Sequence, residues 1–236
     1  MSFDALLKLI PTYVGELLAL LAGPRRFFAG QDLEDRKTLT EALLFLLNSA
    51  IVAYVLRVPF AGEEAAYWRT AIVAVVLYVP TATALGAVAF GCCRLLGGQG
   101  GLSGHVAVFA RIAGVGAVAL ALVQLMAKGM LRMELPPEDF ALYPEYMQRL
   151  YAGQPLDDPR FRSLAESPEL TTAVLIQAAG LVLIFCWLAW AWRVYADWNR
   201  ISGTRTYAAF ALFLVVGYGV SVMFGYAQAA MGVSAF

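Results

Sequence analysis

The sequence has no surplus of either charge: Lys and Arg number 17, Asp and Glu also 17, for a formal net charge of +0. Nucleic-acid binding draws on clustered cations that displace counterions from phosphate, and a neutral chain without basic clusters does not supply them. Histidine is almost missing, with His105 the single example. One imidazole cannot complete a zinc site, and no Ser or Asp stands at a spacing that implies a Ser-His-Asp triad. His105 reads as a helix-end residue. Cysteine is scarce, and Cys92, Cys93 and Cys186 show neither a disulfide framework nor metal-ligand spacing. They read as small apolar residues. The apolar segments hold no run of paired carboxylates, no Ser-Lys dyad and no His/Glu metal pattern. The expectation is a protein that is not an enzyme, with no cofactor, no metal and no nucleic-acid partner.

Charge as a whole is short. Charged residues are 14% of the chain and hydrophobic ones 61%, against about 25% and about 45–50% in an ordinary soluble domain. A spanning helix needs about 20 mostly apolar residues. Five stretches meet that length: Leu39 to Val58, Tyr67 to Leu96 with Pro80 as the expected kink site, His105 to Lys128, Thr171 to Tyr195, and Tyr207 to Gly232. The fold class expected is all-α, a polytopic membrane helix bundle of five transmembrane helices plus an N-terminal interfacial amphipathic helix.

Four regions follow. Residues 1–30 form the interfacial amphipathic segment, in which Asp4, Lys8 and Glu16 interrupt apolar residues at helical spacing. Those charges, and the lack of a small-residue cleavage site, argue against a signal peptide. Pro11 is expected to open a second short helix there. Residues 31–128 hold spans one to three, the second and third joined by the turn Gly97-Gly98-Gln99-Gly100-Gly101. That turn lacks the Lys-Ser/Thr ending of a P-loop and reads as a tight connection, not a phosphate site. Residues 129–170 form an acidic loop or cap, Pro-interrupted, with a helix-like stretch near Glu145 to Ala152. Residues 171–236 hold spans four and five.

Lys/Arg asymmetry across the short loops favours a cytoplasmic N-terminus and an extracytoplasmic C-terminus, since long loops translocate largely regardless of charge. The acidic cap is then extracytoplasmic and a natural face for a protein partner. The Ala/Gly/Leu/Val-rich spans fit a bacterial inner membrane.

Candidate functional residues fall into three groups. Arg25, Arg26, Phe27 and Phe28 set cations beside aromatics, the pattern of an interfacial anchor for membrane lipids, anionic ones in particular. Arg111, six residues into the third span, is close enough to the interface to snorkel to it or to bind an anionic head group. Its expected ion-pair partners are Glu41 and Asp197, at the same end of the bundle. Gly217, Ser221, Gly225 and Ala229 recur every four residues along the fifth span, a helix-packing stripe. Similar stripes run through Ala82-Gly86 and Ala113-Ala117-Ala121. The late fourth span, with Trp187, Trp190, Trp192, Tyr195 and Trp198, reads as an interfacial belt. Oligomeric state is open.

Several of these segments together resemble a known family. Gly23-Pro24-Arg25-Arg26-Phe27-Phe28 leads into a span opening near Glu41. The second span ends in Arg94-Leu95-Leu96-Gly97-Gly98, and the fourth runs into Trp198 and Ser202-Gly203 ahead of a small-residue fifth span. This is similar to prokaryotic members of the Yip-domain (Ypt-interacting-protein) superfamily, from Pro24 to Phe236. The resemblance implies five spans, a cytoplasmic N-terminus, an organising role at membranes and no catalytic residues. It implies small-GTPase contact only for members with a long cytosolic N-terminal region, which is not expected here. The alternatives are a transporter or channel for a small or lipidic solute, using Arg111, Gln124 and Gln177, and an accessory subunit of a larger membrane complex.

Overall fold

The computed structural model describes the backbone of residues 3–60, 64–151 and 153–230, and the side chains over 11–59, 72–150 and 153–223. Every regular element among the described residues is helical. Helix α1 covers Phe3–Ala22 and α2 Pro24–Phe28. The first span is α3, Arg36–Val55; the second lies in α4, Glu64–Leu95; the third is α5, Leu102–Glu134. Helices α6, Pro137–Tyr151, and α7, Arg162–Ala165, form the cap. The fourth span is α8, Pro168–Ala191, continued by the short α9, Arg193–Asn199, and the fifth is α10, Gly203–Ala230. Five helices are thus long and apolar enough to cross a membrane.

The burial pattern is that of a protein whose solvent is lipid. Leu183, Val215 and Tyr218 are each more than 70% exposed, on helices whose backbone groups are satisfied internally, as hydrocarbon requires. Helix α5 is the central post, packed against α3, α4 and α8, while α10 packs on α4. Small residues set these contacts. A Cβ on Gly86 of α4 would lie 2.9 Å from the Val106 Cα of α5, and one on Gly114 of α5 would lie 2.8 Å from the Phe45 ring of α3. The stripes therefore serve packing inside one chain at these positions.

Several expectations change. Helix α1 runs unbroken through Pro11, and the short second helix opens instead at Pro24, where the missing N–H falls in the first turn. Helix α5 extends past Lys128 to Glu134, so the cap begins later than residue 129. In the cap, α6 begins at Pro137, ahead of the helix-like stretch expected near Glu145. On α10, Gly217 is buried, and a Cβ there would lie 3.4 Å from Leu85 Cδ2, whereas Ser221 is exposed. Gly225 and Ala229 lie in the helix but outside the side-chain description.

The cap has its own core. Tyr143 and Met147 of α6 and Leu164 of α7 pack on Leu131 and Leu135 beneath them and on Leu170 at the start of α8. Ser167 caps α8, its Oγ accepting from the Leu170 N–H at 3.1 Å. Around buried Phe161, Arg149 pairs with Glu145 and Arg160 with Asp158. Much of the acidity seen in the sequence is therefore neutralised locally.

Candidate functional site

The polar chemistry buried in this molecule gathers at one end, where α1, α2 and α9 meet the starts of α3, α5 and α10. Among the described residues Ser49, His105, Arg111, Asn199 and Thr206 are the buried polar or charged ones, Ser49 lying further along α3 than the others lie from that end. Arg111 is the one buried charge among the described residues, 3% exposed.

Arg111 does not snorkel. Its Nε donates to Glu16 Oε1 of α1 at 2.8 Å, and Nη1 reaches the Thr38 carbonyl at 3.5 Å. The guanidinium carbon lies 5.5 Å from the Phe27 ring centroid and 6.0 Å from that of Phe28. A guanidinium in a low-dielectric site needs both a counter-charge and donor partners, and the collar of α1 and α2 supplies them. The expected partners are replaced: Asp197 receives Arg25, at 2.5 Å and 2.8 Å through two nitrogens, and Glu41 sits 3.8 Å from Lys37 on its own helix. Phe27 and Phe28 accordingly pack over Arg111, and Phe28 is 5% exposed.

Helix α1 is amphipathic in the opposite sense from a helix on a soluble domain. Glu16, Tyr13 and Leu20 face the bundle, while Val14 and Leu18 are exposed, as a helix lying against hydrocarbon requires. Tyr13 donates to Ser49 Oγ at 3.0 Å, and Ser49 donates to the Phe45 carbonyl at 2.9 Å. Burial raises the Tyr13 phenol above its usual range, with the Ser49 hydrogen bond opposing. The Asp197 hydrogen bond and charge raise Arg25 in turn. Trp187 Nε1 donates to the Leu21 carbonyl at 3.3 Å. The collar is thereby stitched to α3, α5, α8 and α9.

Beside it, the glycine turn is clamped from both sides. Asn199 accepts the Gln99 N–H on its carbonyl at 3.3 Å and the Gly100 N–H on Oδ1 at 3.0 Å. Glu34 accepts the Gly101 N–H and the Ser103 hydroxyl, both at 2.6 Å, and so caps α5 with a carboxylate where the helix dipole favours one. Gly97 and Gly98 donate to carbonyls of α4. All five turn N–H groups are thus engaged within the chain, which fits a fixed connection and leaves none for a phosphate. Gly104 has no room for a side chain, since a Cβ would run into the Trp198 ring.

His105 lies in the first turn of α5, as expected of a helix-end residue, but is packed rather than exposed. Its ring stacks on Tyr195 at 5.2 Å and contacts Trp198 at 4.6 Å. Asn199 Oδ1 is occupied by Gly100, so its amide nitrogen donates to His105 Nε2 at 3.2 Å. His105 Nδ1 then donates to the Gly101 carbonyl at 2.7 Å. The expected aromatic belt divides: Trp190 faces out, 39% exposed, whereas Trp192 and Tyr195 are core.

Sequence reasoning missed Glu16, Glu34 and Asn199 as partners. Glu16 carried a readable signal, an acid inside an apolar segment with a buried arginine elsewhere to satisfy. Glu34 and Asn199 carried none, because they act on backbone far away in sequence. Among the described residues no cluster of His, Cys, Asp and Glu could hold a metal ion, and the arrangement binds collar, turn and bundle into one unit. No protein-family model, curated protein or solved structure matches the chain.

Proposed function

We propose that this chain is a non-enzymatic multi-pass membrane protein that organises membrane or partner proteins, in the manner the Yip-domain resemblance implies. In this reading the collar faces the cytoplasm of a bacterial inner membrane and the cap faces outward. The observation that carries it is the pairing of two ordered, non-spanning platforms at opposite ends of a five-span bundle. The collar is tied down by Arg111–Glu16 and Arg25–Asp197, and the cap by its own core. Surfaces held this firmly at both membrane faces suit docking of other molecules.

A transporter reading requires a cavity lined by Arg111, Gln124 and Gln177. The two cavities described below are lined by none of them, and Arg111 is enclosed by the collar. An accessory subunit differs from an organiser in permanence, which particle size after gentle detergent extraction reads directly. Affinity purification of the tagged protein from its native membrane, beside a variant lacking residues 138–165, tests the reading. We expect a protein partner that is lost with the cap. If the same proteins, or none, are recovered with both forms, the cap is not a partner surface.

A further inference from the structure

An apolar cavity of about 330 Å³ lies among α4, α5, α8 and α10, within the range of about 300–1,000 Å³ that small-molecule sites occupy. Its walls are hydrocarbon: Leu85, Ile112, Leu181 and Leu188 are among them, with Trp192 and Phe210 toward the collar end. Small residues make the space. Ala113, Gly116 and Ala117 of α5 line it, and a Cβ built on Gly116 meets nothing within 4 Å. From Leu181 to Trp192 the cavity follows about 16 Å of helix rise.

One feature of its lining is polar and unsatisfied. Trp192 is 3% exposed, and its Nε1 has no hydrogen-bond partner. A buried N–H without an acceptor is costly, so a ligand that brings an acceptor gains there. Past Trp192 in the chain, a second cavity of about 220 Å³ is lined by Arg25, Arg193, Asp197 and, at the start of α10, by Gly203, Thr206 and Tyr207. The two spaces share no lining residue, but they follow one another along α10, Phe210 of the first standing one turn after Thr206 of the second. Asp197 is already taken by Arg25, while Arg193 makes no ion pair among the described residues. The polar space therefore carries one net positive charge beside a helix N-terminus, which favours an anion.

We infer that the two cavities together bind one phospholipid of the surrounding bilayer. An acyl chain lies between α8 and α10, an ester carbonyl accepts from Trp192 Nε1, and the phosphate sits against Arg193 and the start of α10. A phosphodiester carries one negative charge and matches the single unpaired cation. The apolar walls match one chain, and the succession of polar cavity, indole N–H and apolar cavity follows the order of groups along a phospholipid. The site is separate from the collar residues Arg26, Phe27 and Phe28, and extends the organising role to a lipid held within the bundle.

The test uses the full chain in phosphatidylcholine nanodiscs containing phosphatidylglycerol with a photoreactive diazirine on one acyl chain. Crosslinks read by mass spectrometry are expected on the cavity segments, residues 181–192 and 210–214. Gly116→Leu, whose Cβ meets nothing within 4 Å, puts a side chain into the space and should abolish them. Trp192→Phe, which keeps a ring and removes the N–H, should lower occupancy about two- to tenfold. Arg193→Gln should leave crosslinking to a matched phosphatidylcholine probe in place but remove the preference for phosphatidylglycerol over it. Crosslinks spread evenly over outward residues such as Leu183, Val215 and Tyr218, or unchanged by Gly116→Leu in a protein of normal thermal stability, would overturn the inference. So would a dimer, by light scattering, that Gly116→Leu converts to monomer, since the cleft would then belong to a second copy.

Discussion

Arg111 and Glu16 show how one buried charge fixes the placement of a whole segment. With Arg111 3% and Glu16 23% exposed at the side chain, removing one partner leaves a charge in a medium that penalises it. Glu16→Gln is therefore expected to destabilise the protein by about 3 kcal/mol, read as a fall in melting temperature in detergent. Replacing both residues, Glu16→Leu with Arg111→Met, should recover most of that loss. The Lys37–Glu41 pair is 80% and 53% exposed, so Glu41→Gln should change stability by less than about 1 kcal/mol. A larger effect at Glu41 than at Glu16 would contradict the assignment. The sequence shows that Arg111 needs a partner because a charge in an apolar run is conspicuous. It does not choose among Glu16, Glu41 and Asp197, because that choice depends on how α1 docks.

At the scale of elements, the spans were legible because length and apolarity are local properties, and the bilayer demands both over about 20 residues. Which side of each helix faces a neighbour was less so. On α10, Gly217 touches α4 while Gly219 meets nothing within 4 Å, yet both are glycines in the same apolar run. Gly86→Ala is expected to destabilise by about 1–3 kcal/mol, because its Cβ meets the Val106 backbone, which cannot swing aside. Gly219→Ala should be neutral or stabilise by up to about 1 kcal/mol. Melting temperatures of the two variants decide it, and equal effects would contradict the packing. The stripe at Ala113 and Ala117 shows the same ambiguity, since these small residues line a cavity instead of admitting a helix.

The cap was readable as a region but not as a charge pattern. Hydrogen bonds from the Arg160 side chain and then its backbone N–H hold Asp158 down at about 2, from an ordinary 3.8. A depressed carboxylate contributes its tether fully above about 3.8 and loses it as pH falls through about 2. Pepsin cleavage near residues 157–162 should therefore rise between those limits in the parent, relative to Asp158→Asn, in which the tether is already weakened at every pH. A parallel response in both proteins would show that Asp158 does not hold the segment.

For the whole molecule, five spans, a collar and a cap make one consistent arrangement. An odd number of crossings puts α1 and α2 on one side of the membrane and α6 and α7 on the other. Helix α5 ties the two ends together, carrying Arg111 under the collar and Leu131 under the cap. The organising role we propose depends on that two-sided presentation more than on any single residue.

Sided labelling tests it most directly. In a background with Cys92, Cys93 and Cys186 changed to Ala, single cysteines at Arg26 in the collar and Gln154 in the cap, both exposed, are treated with a membrane-impermeant maleimide. The arrangement predicts labelling of the two positions from opposite sides, and the orientation we propose predicts Gln154→Cys labelled in intact cells and Arg26→Cys only in inverted vesicles. Labelling of both positions from the same side would contradict the five-span bundle and, with it, the two-platform account.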